Sequence, residues 1–334
     1  MKNMTKRMIQ TAIIAAFLLA VLAGCAQSGV SDAVPAASDK LVVKYGYQPG
    51  HAQAIIAQEK GFYTKYLGEE VEVQLIKFQS GPSLITAITA GQLDFGQAGD
   101  QPVIQAKANN VDLKIIGKFL FSDKVNGLIV RPDSGIKDIA DLKGKKVGVT
   151  VGSTGQQLLY VYLKAAGLKP ADIQQVNLQP GDIVSSITFR NIDAAVTWEP
   201  YLTLTQQQGT TIQLADGTGY KTEIDVIFGR NAYLKEHPDI AQGILKAQYE
   251  AGQWIEQNRD EALAIVAKDA GLGEDVLRPI FDKVQVNHVN LTDEDLESIR
   301  ESIAFSVEYQ LIPGLFDVSD FVDTQYLANA GLRD

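Results

Sequence analysis

From residue 40 onward the chain alternates short apolar runs with segments whose apolar residues recur every three or four positions. LVVKYGY (41–47), VEVQLIKF (71–78) and LDFGQAG (93–99) have the length and composition of strands. Between them AQAIIAQEKGF (52–62) and SLITAITAGQ (83–92) carry helical spacing, the first closing at Gly61. After Asp141-Leu142-Lys143-Gly144 the order recurs: strand KKVGVTV (145–151), helix GQQLLYVYLKAAGL (155–168), strand IQQVNL (173–178), helix IVSSITFRN (183–191) and strand IDAAVTW (192–198). Alternation of this kind predicts parallel sheets with helices on both faces. Past about Phe228 the pattern is helical, in EHPDIAQGILKAQYEAGQWIEQN, DEALAIVAKDAG and TDEDLESIRESIAFSVEYQ, with a capping-box-like entry at Thr292-Asp293-Glu294-Asp295. This tail is too long to cap a second lobe. It predicts a return to the first, with crossings near Leu128–Arg131 and Ile224–Gly229.

The two α/β stretches also match each other. Gly46 and Gly50 correspond to Gly148 and Gly152, Gln79 and Gly81 to Gln179 and Gly181, and Ile88, Thr89, Leu93 and Asp94 to Ile187, Thr188, Ile192 and Asp193. The offset drifts only from 102 to 99 along the way, and at the last offset Asp100 falls on Glu199. Two similar lobes follow, each presenting the C-terminal ends of its strands to a shared crevice, where open α/β sheets bind ligands.

The first 25 residues stand apart. Lys2, Lys6 and Arg7 precede an apolar run from Thr11 to Ala23 that ends in Leu22-Ala23-Gly24-Cys25. The pattern is that of a secretory signal ending in a lipobox, with Cys25 lipidated. Cys25 is the one cysteine, so no disulfide can form within the chain. Residues 26–40, small and polar, read as a flexible tether. The expected protein is extracytoplasmic and lipid-anchored to the cell membrane. Without the leader it carries 27 basic against 40 acidic residues, which argues against nucleic acid and against adhesion to anionic lipid.

The chemistry points to binding without catalysis. The three histidines, His51, His237 and His288, have no partners at metal-ligand spacing, and there is no nucleophile elbow or dinucleotide fingerprint. GVTVGSTG resembles a phosphate loop but lacks the Walker lysine. The expectation is no enzyme, no metal and no cofactor. The loops after the strands supply the candidates. Gln48 and His51 offer hydrogen-bond donors; Ser80 and Gly81 begin a helix, and Asp100 and Gln101 begin another. Ser153 and Thr154 bring two hydroxyls to a glycine-flanked helix start suited to an anion. Trp198 gives a flat wall, and Glu199 can accept from a ligand or hold a neighbouring donor. Asp225, inside the apolar run EIDVIFG, needs a partner, most simply a cation on the ligand.

The stretches YGYQPGHAQAIIA, FQSGPSLITAITAGQLDFGQAGDQPVI, IKDIADLKGKKVGVTVGSTGQQLLYVYLKAAGL and IDAAVTWEPYL resemble the substrate-binding lipoproteins of ABC importers for sulfonates, taurine and nitrate, a group that includes thiamine-precursor binders. The resemblance implies the α/β periplasmic binding protein type II fold: two Rossmann-like lobes with mixed sheets, joined by two crossover strands. Lobe 1 is expected over 41–129, lobe 2 over 130–226 and the helical return over 227–334. The implied protein is a monomer. It captures a small anionic or zwitterionic ligand, taurine or another aliphatic sulfonate, and delivers it to a membrane permease and its ATPase. Taurine-type members resemble this chain in having an acid at Asp225, but tend to carry a small residue where Glu199 stands. Nitrate, bicarbonate or a pyrimidine is the alternative ligand; an extracytoplasmic enzyme or sensor on the same fold is the reading from another class.

Overall fold

The computed structural model describes residues 40–286 and 288–332; the leader, Cys25 and the tether lie outside them. Two five-stranded sheets form the frame. In the first, β1 (Leu41–Tyr47) lies parallel between β2 (Val71–Lys77) and β3 (Phe95–Gly99). β10 (Glu223–Arg230) then adds antiparallel to β3, and β4 (Leu113–Ser122) closes the edge. The second sheet repeats the plan. β6 (Lys146–Val149) lies parallel between β7 (Gln174–Asn177) and β8 (Ala194–Trp198); β5 (Asn126–Val130) adds antiparallel to β8, and β9 (Ile212–Asp216) closes the edge.

The repeat read from the sequence is visible in the contacts. A Cβ on Gly46 would stand 2.7 Å from Leu93, and one on Gly148 would stand 2.7 Å from Ile192, so corresponding glycines make room for corresponding aliphatics. Asp94 accepts from the Lys44 amide at 2.9 Å and pairs with Arg230 at 2.6 Å. Asp193 accepts from the Lys146 amide at 3.0 Å and pairs with Arg131 at 3.3 Å. In each lobe one carboxylate thus pins the third strand to the first and to the arginine closing the antiparallel strand.

The helices are α1 (Ala52–Glu59), α2 (Phe62–Leu67), α3 (Gly81–Thr89) and α4 (Asp100–Ala108) on the first sheet, and α5 (Thr154–Ala165), α6 (Pro180–Thr188) and α7 (Tyr201–Gln207) on the second. The tail supplies α8 (Asn231–Glu236), α9 (Pro238–Gln257), α10 (Arg259–Ala270), α11 (Glu274–Phe281), α12 (Asp293–Glu308) and α13 (Gln325–Asn329). Ile240, Ile244 and Leu263 bury against Val43, Ile56 and Tyr63, and Ile299 and Ile303 against Leu84 and Ile104. Thr292 caps α12 by accepting from the Asp295 amide at 3.2 Å, while Asp295 answers the Thr292 amide at 2.8 Å.

Two expectations change. The parallel order read from the alternation is broken by β10 and β5, each from the other side of a crossing, which gives the mixed sheets that the resemblance implied. The crossings lie at 123–125 and 217–222, so Leu128–Val130 and Ile224–Gly229 belong to β5 and β10 inside the sheets, and Arg131 directly follows β5. β5 and β10 are almost wholly buried, and an apolar run buried on both faces does not announce which sheet it joins.

Candidate functional site

Between the sheets lies a cleft of about 1010 Å³, part of it open to solvent. Helix starts surround it: His51, Ala52 and Gln53 at α1, Gly81 at α3, Gly99 and Pro102 at α4, Ser153 and Thr154 at α5, and Pro200 before α7. The first-turn N–H groups of a helix have no partner within the helix, and the dipole makes that end positive. The cleft therefore has a wall suited to negative charge.

The side chains refine this wall. His51 Nδ1 accepts from the Gln48 amide at 3.2 Å, and the ring packs on Phe119 at 4.6 Å between centroids. Burial lowers the His51 pKa to about 3, so the ring is neutral at physiological pH. With Nδ1 accepting, Nε2 carries the proton and is a neutral donor. The Ser153 hydroxyl is committed: it donates to the Thr150 carbonyl at 2.6 Å and accepts from the Gln156 amide at 3.3 Å. That corrects the expectation of two hydroxyls on an anion, since Ser153 is the cap and Thr154 alone brings a hydroxyl to the cleft.

Beside Thr154 in this wall is negative charge. Glu223 and Asp225 stand two apart on β10, on one face of the strand, and are hydrogen-bonded to each other. Asn126 donates to Glu223 at 2.7 Å. A Cβ on Gly99 would stand 2.6 Å from Glu223 Oε1 and 3.2 Å from Asp225 Oδ1, and would overlap the Thr154 methyl. The glycine at the end of β3 is what lets these groups meet. Burial is the main cause that raises both carboxyls, Asp225 to about 6 and Glu223 well above the ordinary range. The two carboxyls titrate as a coupled pair.

Glu199, at the end of β8, is not free. Its carboxylate accepts from the Thr203 amide at 3.0 Å and the Thr203 hydroxyl at 2.9 Å, and takes Lys283 at 2.5 Å. Lys283 follows α11 in the tail that packs on the first lobe, so the ion pair spans the cleft. Tyr201 reaches Gln79 at 3.5 Å, and Lys164 of α5 meets Glu308 of α12 at 2.7 Å. The lobes are thus drawn together over the cleft. Replacing Glu199 by Gln keeps the Thr203 bonds and removes the attraction for Lys283. Ligand release in stopped flow is expected to speed about fivefold, the equivalent of about 1 kcal/mol. An unchanged rate would mean that the bridge plays no part in closure.

Residues 48–262 match the family described as NMT1/THI5 like. The chain belongs to this family. Among its relatives is a Bacillus subtilis (strain 168) protein, provisionally named as an aliphatic sulfonates-binding protein, 31% identical over 95% of this chain and 96% of that one. The taurine-binding periplasmic protein of Escherichia coli (strain K12) is 26% identical over 85% of this chain and 92% of its own. Of solved structures, the periplasmic aliphatic sulphonate binding protein SsuA from Escherichia coli is 29% identical and superposes with a TM-score of 0.74, covering 84% of this chain and 91% of that one. The same fold, at 16% identity and a TM-score of 0.68, also carries the desulfurization enzyme DSZB.

Within this NMT1/THI5-like chain, eight expected site residues line the cleft: Gln48, His51, Gly81, Ser153, Thr154, Trp198, Glu199 and Asp225. Three do not. Ser80 is buried and caps α3, its hydroxyl accepting from the Ser83 amide at 3.4 Å. Asp100 is buried behind the wall, accepting from Ser302 at 2.6 Å with Lys221 at 3.5 Å. Gln101 donates to Ser306 at 2.8 Å. Asp100 and Gln101 face inward because α12 packs against α4 and supplies the serines; its spacing shows a helix but not which one it touches. The sequence reading missed Glu223, Asn126 and Lys283. Glu223 had a signal, since a residue two before Asp225 in a strand shares its face. Lys283 had none, being distant in sequence and in no motif.

Proposed function

We propose that this protein is an extracytoplasmic solute-binding protein of an ABC importer, holding a small organosulfonate between its lobes and presenting the closed form to a membrane permease and its ATPase. Tethering through a lipid on Cys25 belongs to the same reading. The observation that carries it is the meeting of unlike ends in one cleft. The Gly81 N–H of α3, the first-turn N–H groups of α5, the Thr154 hydroxyl and the neutral His51 form an anion wall, and the Glu223–Asp225 pair stands beside Thr154. An aminosulfonate has both charges in one small molecule, and the family relatives named for sulfonates and taurine support the choice. The reading is of a binder without catalysis or cofactor. Among the described residues the cleft carboxylates pair with one another, with Lys283 or, for Glu256, with Arg259.

A second reading has its own observation. Among the described lining residues the charged ones are Glu199, Glu223, Asp225, Glu256 and Arg259, an acidic balance, and Trp198, Phe119 and Phe281 add flat surfaces. A cationic or amino-substituted ring, such as a pyrimidine, suits those walls. Thermal-shift and calorimetric titration with taurine, an alkanesulfonate, nitrate and an aminopyrimidine separates the two. At a hundredfold excess over Kd a true ligand stabilises by about 2.7 kcal/mol. Stabilisation by the pyrimidine with none from either sulfonate would overturn the first reading.

A further inference from the structure

The first crossing between the lobes is three residues long, 123–125, and reaches about 10 Å at full extension. One residue of the tail touches both of its ends. On the first-lobe side Ser122, the last residue of β4, donates its hydroxyl to the Lys283 carbonyl at 2.5 Å and accepts from the Lys124 amide at 3.0 Å. On the second-lobe side the Lys283 ammonium meets Glu199, whose amide donates to the Val125 carbonyl at 2.9 Å. A ring of contacts therefore runs from Ser122 through Lys283 and Glu199 to Val125, around the crossing. An antiparallel bridge between Phe121 and Gln285 holds the same stretch of tail on β4.

Glu199, Val125 and the neighbours of Lys283 at Phe281 and Val284 line the cleft. The ion pair thus stands on the cleft side of the crossing, where parting the lobes stretches it. The Glu199 side chain is 4% exposed, so the attraction is weakly screened, and stretching leaves a buried carboxylate short of its cation. The second crossing is tied to the first. Thr218 donates to the Asp123 carboxylate at 3.0 Å, and Gly217 lies against the Asp123 carbonyl, where a Cβ would stand 2.7 Å away. A limit on one crossing is therefore a limit on both.

We propose that Lys283 is a hinge brace, which limits how far the lobes part in the ligand-free protein, and that Ser122 is the residue that positions it. The brace acts whichever ligand the cleft takes.

The test uses the full ligand-free chain carrying Trp254→Phe, which leaves Trp198 in the cleft as the one tryptophan. Acrylamide quenching then reports how open the cleft is, and amide exchange resolved to single residues reports the hinge. In Lys283→Met the quenching constant of Trp198 is expected to rise about twofold, and exchange of the Glu199 amide about tenfold. Ser122→Ala should do the same, although its lost hydroxyl bonds neither residue, and Ser122→Thr should keep both values at wild type. The double variant Ser122→Ala/Lys283→Met should go no further than Lys283→Met. Unchanged quenching in Lys283→Met overturns the brace. Exchange that rises equally at Ala247, buried in α9, would mark general loosening and overturn it too. Effects that multiply in the double variant would show that Ser122 acts apart from Lys283, and would remove it as the positioning residue.

Discussion

Replacing Asp225 by Asn is expected to weaken taurine binding by about 2–5 kcal/mol, roughly 30-fold to several-thousand-fold in Kd, while an alkanesulfonate of equal size holds its affinity or gains. The sign differs because the ligands differ only in the ammonium. For taurine the variant removes a buried anion that faces the cation; for the alkanesulfonate it removes an anion that repels the head. Glu223 complicates the single variant. The charge on Asp225 is one of the causes that raise the Glu223 carboxyl, so in Asp225→Asn that cause vanishes and Glu223 ionises more readily. It stands on the same face of β10 and can take over part of the ammonium. The double variant Glu223→Gln/Asp225→Asn should therefore lose more taurine affinity than the single one. Calorimetric titration of wild type and both variants with the two ligands checks this. Equal losses for both ligands would make Asp225 a structural residue, and a double variant no worse than the single would remove Glu223 from the site.

The same residues mark what could be read from the sequence. The strand and helix order, the two-lobe plan and the internal repeat were legible because local periodicity carries them. Gly46 with Leu93 and Gly148 with Ile192 are short-range packing pairs repeated after a fixed interval, and a fixed interval is visible in one dimension. The crossings were misplaced because β5 and β10 are apolar on both faces, and such runs give the same pattern in either sheet. The site was legible where a loop follows a strand, since the fold sends such loops to the crevice whatever their composition. It failed where the decisive partner comes from elsewhere. Asp100 and Glu199 are corresponding acids, and both proved to hold a hydroxyl and a lysine: Ser302 and Lys221 for one, Thr203 and Lys283 for the other. Ser302 and Lys283 belong to the helical tail, which has no counterpart in the repeat. So the repeat could equate the two acids but could not name what they touch, and Glu199 proved to be a clasp between walls.

The carboxyl pair also sets how the protein responds to pH, with opposite signs for its empty and occupied forms. An ordinary aspartate loses its proton near pH 4, whereas buried Asp225 keeps its own up to about pH 6, and burial raises the Glu223 carboxyl as well. Between those values the folded chain binds more protons than the unfolded chain, so this contribution to stability declines as pH rises. The ligand-free protein should lose melting temperature from pH 5 to pH 7.5, and Glu223→Gln/Asp225→Asn should lose less over the same interval; the difference between the two slopes isolates the pair from the other titrating groups. A bound ammonium needs the ionised form. Taurine affinity should therefore fall as pH drops through about 6, by up to tenfold per unit once the carboxylate is protonated, because each binding event must then release a proton. The affinity of an alkanesulfonate should rise over the same drop, since protonation removes the anion beside its head. Calorimetry of both ligands at pH 5, 6 and 7.5 gives two curves that diverge in opposite directions. Parallel curves would show that neither ligand feels the charge of the pair, and the zwitterion reading of the cleft would go with it.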